Sequence, residues 1–163
     1  MWLIRAGKKS VYYEKYLSEN RIYLPWEGYN VSLQNLSRRE DFRCLVRKEK
    51  DTENRTSVSN WSGQLYSFVC EMKCGDYVLI PSVGSHTYVL AKVKSDYKFV
   101  EGTSVELHHY RDIDIIVRNI PKDIFSQSII YSLGAFRTLF TVKQEDEVLR
   151  KIREWRENNE TSV

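Results

Sequence analysis

The chain has 163 residues, of which 42% are apolar, and this is enough for one domain with a hydrophobic core. Its formal net charge of +3 excludes a basic tail that binds any polyanion, but it leaves open a local basic face and a nucleic-acid partner. No apolar run approaches the roughly 18 residues of a membrane span, and the N-terminus does not read as a signal peptide. The 3 cysteines form no even disulfide framework. We therefore expect a cytoplasmic protein with reduced thiols and no membrane partner.

The first part of the chain is predicted to alternate between strand and helix. Residues 1–6 form a short apolar run typical of a strand, and Ser10 can cap a helix that ends near Asn20. Residues 21–26 alternate between polar and apolar side chains, as a strand does, up to the break at Pro25.

Two further helices are predicted before the middle of the chain. Ser37 and Glu40 have the spacing of a capping box, which predicts a helix start. The highly charged residues 48–57 are expected to form an exposed loop. A third helix is expected to begin at Trp61 and to end before Gly75, because apolar residues recur there with helical spacing.

The second half of the chain reads mainly as strands. Strands are predicted at residues 77–81, 88–99, 113–117 and 139–142. In the second of these, apolar side chains share one face, while Lys92, Lys94 and Lys98 share the other. Pro121 is expected to open a short helix, and residues 145–158 form a charged helix with a thin apolar stripe. Short strands interleaved with helices predict an α+β domain around a curved or closed sheet.

The sequence carries few catalytic signatures. It has no phosphate-binding loop, nucleophile elbow or zinc-protease motif, so we expect no enzymatic activity, no cofactor and no metal. Asp112 and Asp114 could share a metal on one side of a strand, although solvent-facing charges on an edge strand fit them better. His108 and His109 could act as bases, but paired histidines beside a strand are more often exposed polar residues.

Binding features are richer and are of two kinds. Basic side chains could contact phosphate or form an ordinary solvated face. They are Lys8, Lys9, Lys92, Lys94, Lys98, Arg38, Arg39, Arg43 and Arg47. Trp26, Trp61 and Tyr97 lie at the ends of predicted elements, whereas core aromatics usually lie in the middle. Aromatic planes beside an amide or hydroxyl are the groups that hold a flipped nucleobase, so Trp61 could either stack on a base or pack in the core.

An ordered series of motifs resembles the EVE-like domains of the PUA superfamily. WLIRAG opens the chain, NWSGQLYSF starts at Asn60, MKCGDYVLIP at Met72 and VLAKVKSDYKF at Val89. The later PKDIF and SLG resemble the version found at the N-terminus of Mrr-type and McrBC-type modification-dependent restriction proteins. The resemblance covers roughly residues 2–142 and implies a PUA-like small curved β-barrel flanked by helices.

The resemblance also implies a pocket for one nucleobase, often modified, that is flipped out of nucleic acid. The related YTH readers of methylated adenine place a Trp-Ser or Trp-Thr pair at a helix start and a second aromatic residue after a central strand. Trp61, Ser62 and Tyr97 match those places, and Asn60 matches a pocket Asn of EVE domains. Trp61 and Tyr97 would stack on the base, with Trp26 as a further wall. Asn60 and Ser62 would hydrogen-bond its edge.

We therefore expect residues 1–143 to form the DNA-binding specificity domain of a modification-dependent restriction system. Residues 144–163 would form a C-terminal helix and the start of a linker. The partner would be double-stranded DNA with a modified base, and cleavage would belong to a nuclease or nucleotide-hydrolysing domain or subunit. Phosphate contacts would come from Arg5, Lys8, Lys9, Lys92, Lys94 and Lys98. The alternatives are a PUA-like RNA reader and a protein-interaction or ligand module whose aromatic residues only pack.

Overall fold

The computed structural model describes residues 1–102 and 104–160. The strands are β1 Trp2–Ile4, β2 Arg21–Leu24, β3 Tyr77–Ser82, β4 Thr87–Val93, β5 Lys98–Phe99, β6 His109–Pro121 and β7 Leu139–Thr141. The α-helices are α1 Tyr13–Glu19, α2 Arg39–Lys50, α3 Arg55–Tyr66, α4 Gln127–Leu133 and α5 Glu145–Glu160. Short 3-10 turns at Lys8–Ser10 and Lys122–Ile124 precede α1 and α4, and a π-helical turn at Ser67–Glu71 continues α3.

The strands form one curled, mixed sheet in the order β2–β6–β4–β3–β1–β7, and β5 pairs with β6. β1 runs parallel to β3, and the other strand pairs are antiparallel. The sheet curls into a half-barrel, and the helices lie beside it. The predicted α+β class, with a small curved sheet flanked by helices, is confirmed.

The curl of the sheet has a local cause in the long strand β6. Leu90 pairs with Val117 but its neighbour Ala91 pairs with Ile115, so β6 carries an extra residue between the two pairs. A second extra residue of β6 lies between the pairs Tyr88–Ile120 and Leu90–Val117, where Asn119 adopts a left-handed φ of 56°. An extra residue on one strand bends it and increases its twist. The bulges in β6 therefore help to roll the sheet.

Both faces of the sheet are buried. Ile4 and Val78 lie in a core that faces α1, α2 and α3, while Leu3 and Leu79 lie in a second core with residues of α4 and α5. Neighbouring residues of a strand point to opposite faces, which divides each strand between the two cores. Burial on both faces explains why these strands read as continuous apolar runs in the sequence.

The start of α2 differs by one residue from the predicted capping box of Ser37 and Glu40. The backbone N–H of Arg38 donates to the carboxylate of Asp41 at 3.3 Å. Glu40 instead accepts from the guanidinium of Arg47 at 3.0 Å, on the exposed side of the helix. The helix start is therefore set by the Arg38–Asp41 pair.

Residues 48–57 are mostly exposed, as predicted, but they do not form a loop, because α2 and α3 occupy most of them. The side chain of Asn54 accepts a hydrogen bond from the backbone N–H of Ser57 at 3.0 Å and so caps α3. α3 thus begins earlier than predicted. Trp61 lies in its second turn and not at a helix start.

The single strand predicted at residues 88–99 is divided into β4 and β5. β4 ends at Val93, after which the side chain of Ser95 accepts a hydrogen bond from the backbone N–H of Asp112 at 2.8 Å. The carbonyl of Ser95 accepts another from the guanidinium of Arg111 at 3.1 Å. These bonds to β6 replace the regular strand ladder, so the chain turns before β5 begins.

His108 and His109 are buried, so the expectation that they are exposed polar residues is wrong. Each ring has a backbone partner, which offsets the cost of burying its nitrogen atoms. A ring nitrogen of His108 lies 3.1 Å from the carbonyl oxygen of Val100, and one of His109 lies 2.7 Å from that of Tyr29.

α5 packs against the second core through Val148 and Ile152. It matches the charged helix predicted at residues 145–158 and is slightly longer. Residues 161–163, which belong to the predicted start of a linker, lie outside the described residues. Within the described ranges, no helix combines the length and the apolar character that a membrane crossing requires.

Candidate nucleic-acid interface

A groove of about 1400 Å³ lies between α3 and the segment that runs from α4 to β7. One wall is the exposed side of α3, and the other is formed by α4, the following turn and β7. Gln64 of α3 joins the two walls, because its side-chain oxygen accepts a hydrogen bond from the backbone N–H of Leu139 at 3.0 Å. The position of α3 relative to β7 is therefore fixed by a buried hydrogen bond.

The charged side chains that line the groove are mostly basic. Arg39 is paired with Glu71, the acidic residue of the groove, at 3.8 Å. The other basic residues are Arg55, Arg137 and Lys143, which have no carboxylate within ion-pair distance in the described part of the chain. This groove therefore presents positive charge that is not neutralised internally.

Asn60 is the predicted pocket residue that lines the groove. The hydrogen bond from Leu139 fixes the oxygen of Gln64, so the Gln64 amide nitrogen donates to the side-chain oxygen of Asn60 at 3.3 Å. This orients the Asn60 amide and leaves its NH₂ group available to donate to a ligand. Asn60 is therefore a preorganised hydrogen-bond donor in a basic groove.

Ser62 and Trp61 follow Asn60 on α3 but point elsewhere, since successive residues of an α-helix are rotated by about 100°. Ser62 is buried, and its hydroxyl donates to the carbonyl oxygen of Ser59 at 3.4 Å within the same helix. Trp61 is half-buried against the core beneath α3. The structure thus separates the three consecutive residues predicted to form one pocket.

Trp26 and Trp61 do come together. Their ring centroids are 4.5 Å apart at an interplanar angle of 69°, which is an edge-to-face contact. Trp26 is buried, and its indole N–H donates to the hydroxyl of Thr138 at 3.2 Å, in the turn before β7. The ammonium nitrogen of Lys50 lies 4.0 Å from the centroid of the Trp61 ring. The face of Trp61 is therefore occupied by a cation.

Tyr97 lies apart from this pair, in a hydrogen-bonded chain beneath the segment that follows β2. Its hydroxyl accepts from the backbone N–H of Leu33 at 3.1 Å and contacts Nδ1 of His109. Nε2 of His109 lies 2.7 Å from the carbonyl oxygen of Tyr29, which can only accept, so Nε2 carries the proton and Tyr97 donates to Nδ1. Burial lowers the pKa of His109 to about 4 and keeps the ring neutral.

Arg5, a predicted phosphate contact, is half-buried and bonded to backbone. Its guanidinium donates to the carbonyl oxygens of Leu133, Ala135 and Arg137 at 3.2, 2.9 and 3.1 Å. Burial lowers the pKa of Arg5 from its ordinary value. These bonds hold the turn between α4 and β7.

The predicted lysines differ in their surroundings. Lys8 and Lys9 are exposed in the 3-10 turn before α1. Lys94, directly after β4, pairs with Asp114 at 3.5 Å, and Lys98 of β5 pairs with Asp112 at 2.6 Å. The ammonium of Lys92 lies 4.9 Å from the centroid of the Tyr77 ring. Lys92, Lys94 and Lys98, which we call the strand lysines, therefore belong to a face of mixed charge.

Sequence reasoning missed several residues of the groove. They are Arg55, Arg137, Lys143 and the exposed Tyr131. The run GAFR before β7 carried a signal, because a glycine-containing turn places an aromatic and a basic side chain next to each other at the surface. Arg55 gave none, since it was assigned to a loop and not to a helix that lines a groove.

Comparison with known protein families identifies the family of the chain. The family model described as Domain of unknown function (DUF8426) matches residues 2–136, which include β1 to β6, α1 to α4 and most of the turn before β7. None of the curated proteins matches the chain. The family match covers the α3 wall of the groove and part of the opposite wall. The chain therefore belongs to the family Domain of unknown function (DUF8426).

Proposed function

We propose that the chain binds double-stranded DNA and reads a modified base that is flipped out of the duplex. The modification we propose is methylation. In this proposal the chain is the DNA-binding specificity domain of a modification-dependent restriction system, as its resemblance to EVE-like domains of the PUA superfamily implies. The curled half-barrel with flanking helices is compatible with a PUA-like barrel. Cleavage would belong to a nuclease or nucleotide-hydrolysing domain or subunit.

The observation that carries the proposal is the basic groove with one oriented amide in it. Arg55, Arg137 and Lys143 supply positive charge for phosphate groups. Asn60 supplies an NH₂ donor whose direction is fixed through Gln64. The Watson–Crick edges of adenine and cytosine carry ring-nitrogen acceptors that such a donor can bind once the base has left the stack.

The Trp26–Trp61 pair supplies the apolar part of the proposal. Trp26 is bonded to Thr138 of the turn beside the groove, and Trp61 is adjacent to Asn60 in α3. Neither ring lines the groove, so a base that passes from Asn60 to Trp61 would have to cross the edge of α3 and displace Lys50 from the Trp61 ring. A methyl group on such a base would add apolar surface that an aromatic wall stabilises and water does not.

The experiment is a set of binding titrations with four ligands of one sequence: plain duplex DNA, the same duplex with 6-methyladenine, one with 5-methylcytosine, and single-stranded RNA. We expect tighter binding to one of the methylated duplexes. In the Asn60→Ala variant, loss of one net hydrogen bond should weaken binding to that duplex about threefold to tenfold. Thr56→Ala is the matched control, because Thr56 also lines the groove from α3 but lies one turn from Asn60.

Three outcomes would contradict the proposal. Equal affinity for plain and methylated duplexes would show that the modification is not read. Preference for RNA would favour the RNA-reading alternative. Equal losses in Asn60→Ala and Thr56→Ala would show that the Asn60 amide has no special role in the groove.

A further inference from the structure

Phe136 lies in the turn between α4 and β7 and is fully exposed, with a relative accessibility of 105%. Tyr131, on α4 before the same turn, is 85% exposed. Large aromatic side chains usually bury most of their surface, so a ring that the described residues leave uncovered is unusual. The turn thus carries an aromatic side chain that the described fold itself does not use.

The turn that carries Phe136 is rigidly held. The guanidinium of Arg5 donates to the carbonyls of Leu133, Ala135 and Arg137, which lie on both sides of Phe136. The backbone N–H of Arg5 donates to the carbonyl of Thr138 at 2.8 Å. Because these bonds fix the backbone on either side, Phe136 is presented in a constant place, and little conformational entropy is lost when the turn meets a ligand.

The turn also lies between the two parts of the candidate site. On one side, the hydroxyl of Thr138 accepts the indole N–H of Trp26, which contacts Trp61. On the other side, the backbone N–H of Leu139 orients Gln64 and through it Asn60. Phe136 is therefore attached to the same framework that positions the amide and the aromatic pair.

The charges around Phe136 point to nucleic acid as the occupant of this surface. Arg137 follows Phe136 directly, and Arg55 and Lys143 line the same groove without a carboxylate partner among the described residues. Phe136 does not itself line the groove, but Ala135 and Arg137 on either side of it do, so its ring lies at the rim. An apolar ring at the rim of a basic groove fits a polyanion with stacked bases better than it fits the mixed charges of a protein surface.

We propose that Phe136 is a wedge that enters the base stack of duplex DNA and fills the gap left by the flipped base; this rests on the proposed function. A base that leaves the duplex gives up its stacking on its neighbours, and an inserted aromatic ring restores part of it. Arg137 then lies where it can bind the phosphate next to the gap. Arg5 acts as a positioning residue, since it holds the turn and does not contact the DNA.

The test compares wild type and Phe136→Ala on the preferred methylated duplex, with 2-aminopurine placed beside the methylated base to report unstacking. The variant should melt as the wild type does, because Phe136 is exposed. Removal of one stacked ring should weaken binding by about tenfold or more. A large planar pyrene group in place of the base opposite the methylated one fills the gap without Phe136 and should bring the variant to within about threefold of wild type.

Val83→Ala is the matched control, since Val83 is an exposed apolar residue of the turn between β3 and β4. It should bind every duplex as the wild type does. A Phe136→Ala variant with wild-type affinity and wild-type 2-aminopurine fluorescence would overturn the wedge and leave the proposed function standing. A loss that the pyrene duplex does not rescue would also overturn it. Wild-type protein that does not distinguish methylated from plain DNA would overturn the proposed function, and the wedge with it.

Discussion

At the scale of single residues, Lys50 and Trp61 form the contact that bears most directly on base stacking. The Lys50 ammonium lies 4.0 Å from the Trp61 ring centroid, so the indole face is covered in the absence of a ligand. A cation over an exposed aromatic face contributes about 0.5–1 kcal/mol. A base that stacks on Trp61 must first break this contact.

We therefore expect substitutions of the two partners to have opposite effects on binding to the methylated duplex. Lys50→Ala should strengthen binding about twofold to fivefold, because the cation–π interaction, worth about 0.5–1 kcal/mol, no longer has to be broken. Trp61→Ala should weaken it about tenfold to a hundredfold because the stacking surface is removed, and should also lower the melting temperature, since Trp61 packs on Trp26. Binding titrations and thermal melts of both variants measure these effects.

Lys48→Ala is the control for Lys50→Ala, because Lys48 is an exposed lysine of the same helix. If Lys50→Ala weakens binding to plain and methylated duplexes alike, Lys50 contacts phosphate and does not cover a stacking surface. If Trp61→Ala loses stability but still prefers the methylated duplex, Trp61 is a packing residue only.

At the scale of elements, the basic residues divide into two groups with different electrostatic surroundings. The strand lysines lie beside carboxylates of β6, as in the pairs Lys94–Asp114 and Lys98–Asp112. The groove residues Arg55, Arg137 and Lys143 have no such partners in the described ranges. Neighbouring carboxylates repel phosphate, so the three strand lysines should contribute less to DNA binding than the three basic residues of the groove.

Two triple variants measure this difference in the salt dependence of DNA binding. Replacing the three groove residues with Ala should make the slope of log affinity against log salt shallower by about 0.9 for each DNA phosphate that is no longer neutralised. Replacing the strand lysines with Ala removes the same formal charge and is the matched control; its slope should stay close to that of the wild type. A larger change in the strand-lysine variant would place the DNA over β4 and β5 instead.

Strands and helices were predicted well from the sequence where the pattern of apolar residues was long. They were predicted poorly where a single polar side chain determines where an element begins or ends. β3 and α5 agree closely with their predicted ranges. α3 was mistaken at its start because a single cap, Asn54, lies inside a polar run that also reads as a loop. β4 was extended too far because the turn depends on Ser95 bonding to β6, a contact distant in sequence.

The candidate site was less predictable than the fold, for a physical reason. Asn60 was found from its motif and does line the groove. The opposite wall comes from residues far along the chain, and their approach to α3 depends on the bond between Leu139 and Gln64. Periodicity describes which side of an element is apolar, but not which distant element faces its polar side.

At the scale of the whole molecule, the buried His109 links the fold to pH. One ring nitrogen of His109 bonds to the carbonyl of Tyr29, and the other bonds to the hydroxyl of Tyr97, which in turn bonds to the backbone of Leu33. Through these bonds His109 attaches the segment after β2 to the sheet. Burial lowers its pKa from 6.5 to about 4. The unfolded chain therefore binds a proton more readily than the folded one between these values, so protonation favours unfolding.

We expect stability to be fully present above about pH 6.5 and to fall as the pH drops towards 4, by about 3 kcal/mol from His109. Urea denaturation at a series of pH values measures this change. A His109→Gln variant cannot titrate; it should be less stable at neutral pH but should lose less stability over the same window. Parallel curves for the two proteins would contradict the assignment, because the carboxylates titrate in both.

The pairing of β1 has a consequence for how the chain acquires its structure. β1 lies between β3 and β7, with Trp2 opposite both Val78 and Thr141. During synthesis, β1 can therefore pair only after β3, from the middle of the chain, and β7, from residues 139–141, have been made. Contacts between such distant residues carry a large loop-closure entropy, which slows folding relative to a helical domain of equal length. Until β7 has left the ribosome, one edge of β1 remains open, and a nascent chain stalled before that point presents an apolar strand that chaperones bind.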